Sequence, residues 1–185
     1  MNAVLKGANG LLLLWPVLVW YALSHPTARW MLVLLALPFI LRWLGLRQQG
    51  GAFAAAGKWL ALGGAGLCAA SILLRNHHLL LWYPLAVNAI LLLLFAASLF
   101  SPMPVIERLA RLHEAELPPR AIVYTRRVTQ LWCLFFIFNG AMALITCLLN
   151  SLFWWTLWNG FISYLLIGLL MMCEWLARQR MRASL

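Results

Sequence analysis

Carboxylate chemistry is almost closed to this chain, because it contains no aspartate and its four glutamates are Glu107, Glu114, Glu116 and Glu174. The paired acids that hold Mg²⁺ on a diphosphate are missing, which argues against prenyl and phosphatidyl transfer. Acyl transfer would need a base beside an activated acyl group, and the candidate is His113, with Glu114 and Glu116 next to it. His113 falls on the apolar side of an amphipathic segment, where an imidazole ordinarily packs with its polar tip in water. No catalytic residue is assigned, and on balance the chain does not read as an enzyme. His25, His77 and His78 fall on one side of the expected topology, but adjacent histidines in a short loop are ordinarily solvated, so no metal site is assigned. Cys68, Cys133, Cys147 and Cys173 form no CxxC pair and have no histidine at ligand spacing. They read as packing residues, and a reducing cytosol argues against a Cys133–Cys173 disulfide. No cofactor is expected. The remaining polar residues of interest, Asn88, Asn139, Asn159 and Ser163, sit inside apolar runs.

Those runs define the elements. Six apolar stretches lie at 8–24, 30–46, 58–74, 79–101, 128–149 and 152–176, each about 17 to 25 residues and so able to cross a bilayer as a helix. With the amino terminus in the cytoplasm, Lys6, Arg42, Arg47, Lys58, Arg108, Arg111, Arg120, Arg126, Arg127, Arg178, Arg180 and Arg182 fall on that side, against Arg29 and Arg75 on the other. This positive-inside bias predicts a multi-pass inner-membrane protein with both termini cytoplasmic. With 65% hydrophobic and 10% charged residues and a mean hydropathy of +0.89, the chain has too little polar surface to close a soluble domain. Trp30, Trp43, Trp59, Trp82, Trp132, Trp154, Trp155 and Trp175 fall near expected span ends, where indoles favour the lipid interface. The pI near 10.6 reflects basic residues that flank helices. It points to anionic membrane lipids as partners and not to nucleic acid. Lys6, the first apolar run and Ala22-Leu23-Ser24 loosely imitate a signal peptide, but the bulky Trp15, Pro16, Trp20 and Tyr21 argue for a retained span.

The expected fold is therefore all-α: one membrane domain over residues 1–185, six transmembrane helices, and an interfacial amphipathic helix between the fourth and fifth. Residues 47–57 read as a flexible connection. In the third span Gly57, Ala61, Ala65 and Ala69, with Gly64 and Cys68 beside them, form a small-residue face. That face predicts a central helix, with homo-oligomer contact as its secondary use. The first and fourth spans, LLLLWPVLV and LLLWYPLAV, show a faint inverted likeness that leucine-rich segments reach by chance. The last two spans form a hairpin at Asn150-Ser151. Equal rise per residue puts Asn139 level with Ser163 and Arg127 level with Glu174. Asn88, Asn139, Asn159 and Ser163 are expected to face the bundle interior, as packing bonds first and a ligand pocket second. Glu174 is expected to pair with Arg126 or Arg127.

The cytoplasmic segment 102–127 begins at Ser101, Pro102 and Pro104 and its helix stops at Pro118-Pro119. Val105, Ile106, Leu109, Ala110, Leu112 and Leu117 cluster on one face, opposite Glu107, Arg108, Arg111 and Glu114, with Glu107 and Arg111 spaced for an i,i+4 pair. Glu107, Arg108, Arg111 and His113 mark it as a candidate docking helix.

The stretches MPVIERLARLHEAELPP, YTRRVTQLWCLFFIFNGAMAL and WWTLWNGFISYLLIGLLMMCEWLAR resemble a family of small bacterial inner-membrane proteins. The resemblance covers essentially the whole chain. Its most specific points are Ile106-Glu107-Arg108, Tyr124 to Val128, Phe135-Phe136, Asn139-Gly140, Asn159-Gly160 and Glu174-Trp175. That family accompanies fatty-acid-type genes for aryl polyene, xanthomonadin-like pigments, so the resemblance implies a lipid pathway and carries over no catalytic residue. A ketosynthase label does not suit the chain, since condensing enzymes need a soluble thiolase-like fold with a Cys nucleophile. A second, weaker likeness to the intracellular septation membrane proteins runs through Arg127, Trp132, Phe135 and Phe136 of the last hairpin. The expected function is an accessory or scaffold protein that docks acyl-carrier-dependent enzymes at the membrane. The alternatives are handling or translocation of a lipid or polyene intermediate, a membrane acyltransferase-like enzyme, and a septation or envelope-maintenance protein.

Overall fold

The computed structural model describes residues 14–25, 36–46, 52–73, 77–112 and 116–183, and among these the chain is helical with no strand. The helices are α1 (Trp15–Ser24), α2 (Ala36–Leu46) and α3 (Ala52–Leu73), then a 3-10 turn (His77–Trp82) that runs into α4 (Tyr83–Leu99). There follow α5 (Val105–Arg111), α6 (Pro119–Leu148) and α7 (Leu152–Leu157), which continues through a π turn (Trp158–Ile162) into α8 (Ser163–Ala183). Among the described residues three helical stretches are long and apolar enough to cross a membrane: His78–Leu99, Pro119–Leu148 and Leu152–Arg180, with mean hydropathies of 2.2, 2.1 and 1.8. Only 6% of the most apolar window of the last stretch is buried within the protein. Its outer face, including Phe161, Leu165 and Leu169, is the kind that water rejects and lipid accepts. The helix α3 has 22 residues, the length a span needs. Residues 8–13 of the expected first span and 30–35 of the second lie outside the described residues, as do Lys6, Arg29, Arg47 and Arg75.

Several boundaries differ from the sequence expectation. The run 47–57 reads as a flexible connection in the sequence, yet α3 begins at Ala52. The segment Ala52 to Ala56 is alanine-rich and favours helix without needing an apolar window. Likewise α6 begins at Pro119, well before the expected 128, with proline in its first turn. Pro118-Pro119 thus starts one helix as well as ending another. Hydropathy windows exclude Arg120, Arg126 and Arg127, although arginine is a good helix former.

The closest association is between α4 and α6; α2 packs on α3, α3 on α4, α1 on α7 and the π turn, and α5 on α6. The α4–α6 contact is the most extensive, and α3 packs against α2, α4 and the 3-10 turn. One apolar cluster is built on the rings of Trp15, Phe39 and Tyr83, whose centroids lie 4.9 to 5.0 Å apart. The other joins Phe95, Phe136 and Cys133 to Val105 and Ile106 of α5. The buried face of α3 comprises Gly57, Leu60, Ala61, Gly64, Cys68 and Ser71, whereas Ala65 is half-buried and Ala69 exposed. A strict four-residue repeat drifts off a face that recurs every 3.6 residues, so Gly57-Ala61-Ala65-Ala69 overshoots it.

Helix α5 is tied to the end of α4: the Ser98 hydroxyl donates to the Phe95 carbonyl and accepts from the Val105 amide at 3.1 Å. This turns Val105, Ile106 and Glu107 inward and leaves Leu109 and Leu112 exposed. The expected polar face is corrected here, since Glu107 is buried. Its carboxylate accepts from Arg111 Nε and Nη2 at 3.0 and 2.9 Å, which offsets the cost of burial.

A Cβ on Gly64 would lie 2.3 Å from the Phe39 ring, which is fully buried and held by Trp15 and Tyr83. Gly64→Ala should therefore destabilise the protein by about 1 to 3 kcal/mol, as overpacking does. Phe39→Leu should recover part of that loss in the double variant. Thermal unfolding in detergent measures both, and an unchanged midpoint for Gly64→Ala contradicts the packing.

Candidate functional site

The site is built on the α6–α7 hairpin. After Leu148 the chain turns at Asn150, whose φ of 50° lies in the left-handed region that asparagine tolerates, and α7 starts at Leu152. The returning helix runs antiparallel to α6, so residues equidistant from the turn meet. Ser163 Oγ and Trp158 Nε1, the latter at 3.1 Å, both donate to Asn139 Oδ1. Asn139 Nδ2 donates to Asn88 Oδ1 at 3.1 Å, and Asn88 Nδ2 donates to the Pro84 carbonyl at 2.8 Å. The direction of this chain of bonds is fixed at both ends. An indole N–H can only donate and a carbonyl can only accept, so neither amide can be reversed without losing a bond.

Glycine makes the approach possible. A Cβ on Gly140 would stand 3.3 Å from Asn88 Cβ, so α4 and α6 come closest beside the Asn88–Asn139 bond. One Cβ on Gly160 would stand 3.3 Å from Pro16 Cβ, and α1 meets the π turn there.

Asn159 belongs to a second group. Its Nδ2 donates to the Trp155 carbonyl at 2.9 Å and to Thr146 Oγ1 at 3.3 Å. Trp155 Nε1 and Cys147 Sγ both donate to the Leu81 carbonyl, at 2.8 and 3.1 Å, where the 3-10 turn meets α4. Asn159 Oδ1 is buried with no protein partner, and so is the indole Nε1 of Trp15.

Between α1, α4, α6 and the π turn lies a cleft of ≈ 230 Å³, lined by Asn88, Asn139, Asn159 and Ser163 together with Trp15. Its walls include Pro84, Val87, Leu91, Phe136 and Ile167, and none of the described residues that line it is charged. Such a site can seat an apolar chain and hydrogen-bond a neutral polar group. Among the described residues no three His, Cys, Asp or Glu side chains gather to hold a metal.

The other candidate residues lie elsewhere. Glu174 accepts from Arg178 one turn along its own helix, with Nε at 3.0 Å, and the expected bridge to Arg126 or Arg127 is not formed. An i,i+4 pair lies on neighbouring positions of one helix face and needs no alignment between two helices. Arg126 instead donates to the Leu99 carbonyl at 2.9 Å, placing its charge at the carboxyl end of α4, where the helix dipole favours it. Arg127 is exposed. Arg108 donates to the Met103 carbonyl and Ser101 Oγ at 2.9 and 3.2 Å. His113 and Glu114 lie outside the described residues. Sequence reasoning missed Trp15, Trp158 and Thr146 as members of the site. For Trp158 the available signal is a tryptophan inside an apolar run, since a buried indole N–H usually finds an acceptor.

Comparison with protein-family models, with curated proteins and with solved structures finds no match.

Replacing Asn139 by leucine strands Ser163, Trp158 and Asn88 together, so Asn139→Leu should cost about 1 to 3 kcal/mol. Ser163→Ala removes one donor and leaves Trp158 on Asn139 Oδ1, so it should cost less than half as much. Denaturant titration in mixed micelles measures both, and equal losses contradict the central place of Asn139.

Proposed function

We propose that the protein is a six-span inner-membrane helix bundle with cytoplasmic termini that handles a lipid during aryl-polyene-type biosynthesis, holding its chain in the α1–α4–α6–π-turn cleft. The observation that carries this reading is the cleft itself: apolar walls, a directed row of amides and, among the described residues, no charge, where the short helix α1 meets three stretches of membrane-spanning length. A lipid chain contributes apolar area to such walls at roughly 25 cal/mol per Å² where water would otherwise remain, with less gain where membrane lipid is displaced. Uncharged amides can orient a head group without the expense of a buried ion. The absence of charge in the cleft favours passive holding or release over ion-coupled pumping. The sequence resemblance supports the pathway, and the distribution of lysine and arginine supports the orientation.

A second reading, docking of cytoplasmic acyl-carrier-dependent enzymes, draws on a different observation. Arg108, Arg120, Arg126, Arg127 and Arg180 are exposed. Arg126 reaches the end of α4 and Tyr124 reaches the Glu174 carbonyl, which brings the basic residues of α6 and α8 to one end of the bundle. That end suits an acidic partner or anionic lipid.

The two readings separate in a deletion strain whose membranes are fractionated and analysed by lipid mass spectrometry. Lipid handling predicts a finished or late polyene lipid retained in the inner membrane, and Asn159→Leu reproduces this while the variant is still inserted. Loss of the polyene with no trapped lipid contradicts handling and favours docking.

A further inference from the structure

Two residues that line the cleft each carry a buried polar atom with no partner among the described residues, and the two atoms are of opposite kinds. Asn159 Oδ1 can only accept a hydrogen bond and Trp15 Nε1 can only donate one. Both residues line the same cleft and are 5% and 2% exposed. The orientation of the Asn159 amide is not arbitrary: its nitrogen faces the Trp155 carbonyl, an obligate acceptor, which leaves the oxygen as the free end. Leaving such groups unsatisfied costs about 1 to 3 kcal/mol each, so a bound group that donates to one and accepts from the other is favoured there. The flanking π turn Trp158–Ile162 interrupts an otherwise continuous helix at this point, and single π turns recur at functional sites.

We propose that the cleft selects lipids carrying a neutral hydroxyl group, whose hydrogen is given to Asn159 Oδ1 and whose oxygen accepts from Trp15 Nε1. The inference rests on the lipid-handling reading and narrows its substrate class. A hydroxyl both donates and accepts, so its chemistry complements both atoms. An ionised carboxylate or phosphate would place a charge among side chains that offer it no cation. A simple ester or ether would serve Trp15 and leave Asn159 without its hydrogen. No bond is made or broken; the group is recognised and held.

The test uses the full-length protein in phospholipid nanodiscs and three hexadecyl probes with a mid-chain diazirine: the alcohol, its methyl ether and the hydrocarbon. After illumination, labelled peptides are mapped by mass spectrometry. The alcohol should label peptides containing 84–91 and 135–139 about fivefold more than the ether, the factor that one net hydrogen bond supplies. Asn159→Leu should remove the preference for alcohol over ether. Trp15→Phe keeps the ring packing and removes only the donor, so it should reduce alcohol and ether labelling together, towards the hydrocarbon level. Equal labelling by all three probes in the unaltered protein overturns the hydroxyl assignment and leaves chain binding intact. Labelling of the cleft by none of them overturns both.

Discussion

An amide removed from water must find its partners inside the protein, and this constraint organises the molecule. Asn139 stands where three helical stretches meet and engages Ser163, Trp158 and Asn88 at once. Each of those stretches is outwardly apolar and has little reason, in lipid, to prefer a protein neighbour over an acyl chain. The row of bonds from Trp158 through Asn139 and Asn88 to the Pro84 carbonyl supplies that reason and sets the rotation of each helix about its own axis. Aromatic packing then closes the two ends, with Trp15, Phe39 and Tyr83 in one cluster and Phe95, Phe136 and Trp132 in the other.

A repeated device appears in Asn139-Gly140 and Asn159-Gly160. In each pair the asparagine bonds across to another helix, while the glycine next to it lets a neighbouring helix come near, α4 at Gly140 and α1 at Gly160. Close approach and polar bonding belong together because a side-chain amide has a short reach. The difference between the pairs lies in their remaining valences. Asn139 has partners on both ends of its amide, whereas the Asn159 oxygen is buried without one among the described residues.

Much of this order is legible in the amino-acid sequence. An asparagine inside an apolar run declares a need for partners, and counting from Asn150 brings Asn139 to the level of Ser163. The hairpin turn is equally plain, since asparagine accepts the left-handed backbone found there. What the sequence does not carry is which partner each group takes. Glu174 takes Arg178 on its own helix, because a local pair needs no alignment between helices. Glu107 turns inward because the Ser98 hydroxyl fixes the start of α5, a contact seven residues apart that a helical wheel does not represent. The amide rows are further concealed by the π turn, which alters the angular spacing between Asn159 and Ser163. Helix starts at Ala52 and Pro119 escape a hydropathy window because helix propensity and hydropathy are different properties.

The most direct measurement is a double-substitution cycle on Asn88→Ala and Asn139→Ala, with unfolding free energies taken in bilayer-like micelles. The α4–α6 amide bond predicts a coupling energy on the order of 0.6 to 1.7 kcal/mol, with the double variant losing less than the two single losses combined. Strictly additive losses would mean that the two asparagines do not act on one another, and the account of how these helices are held together would be contradicted.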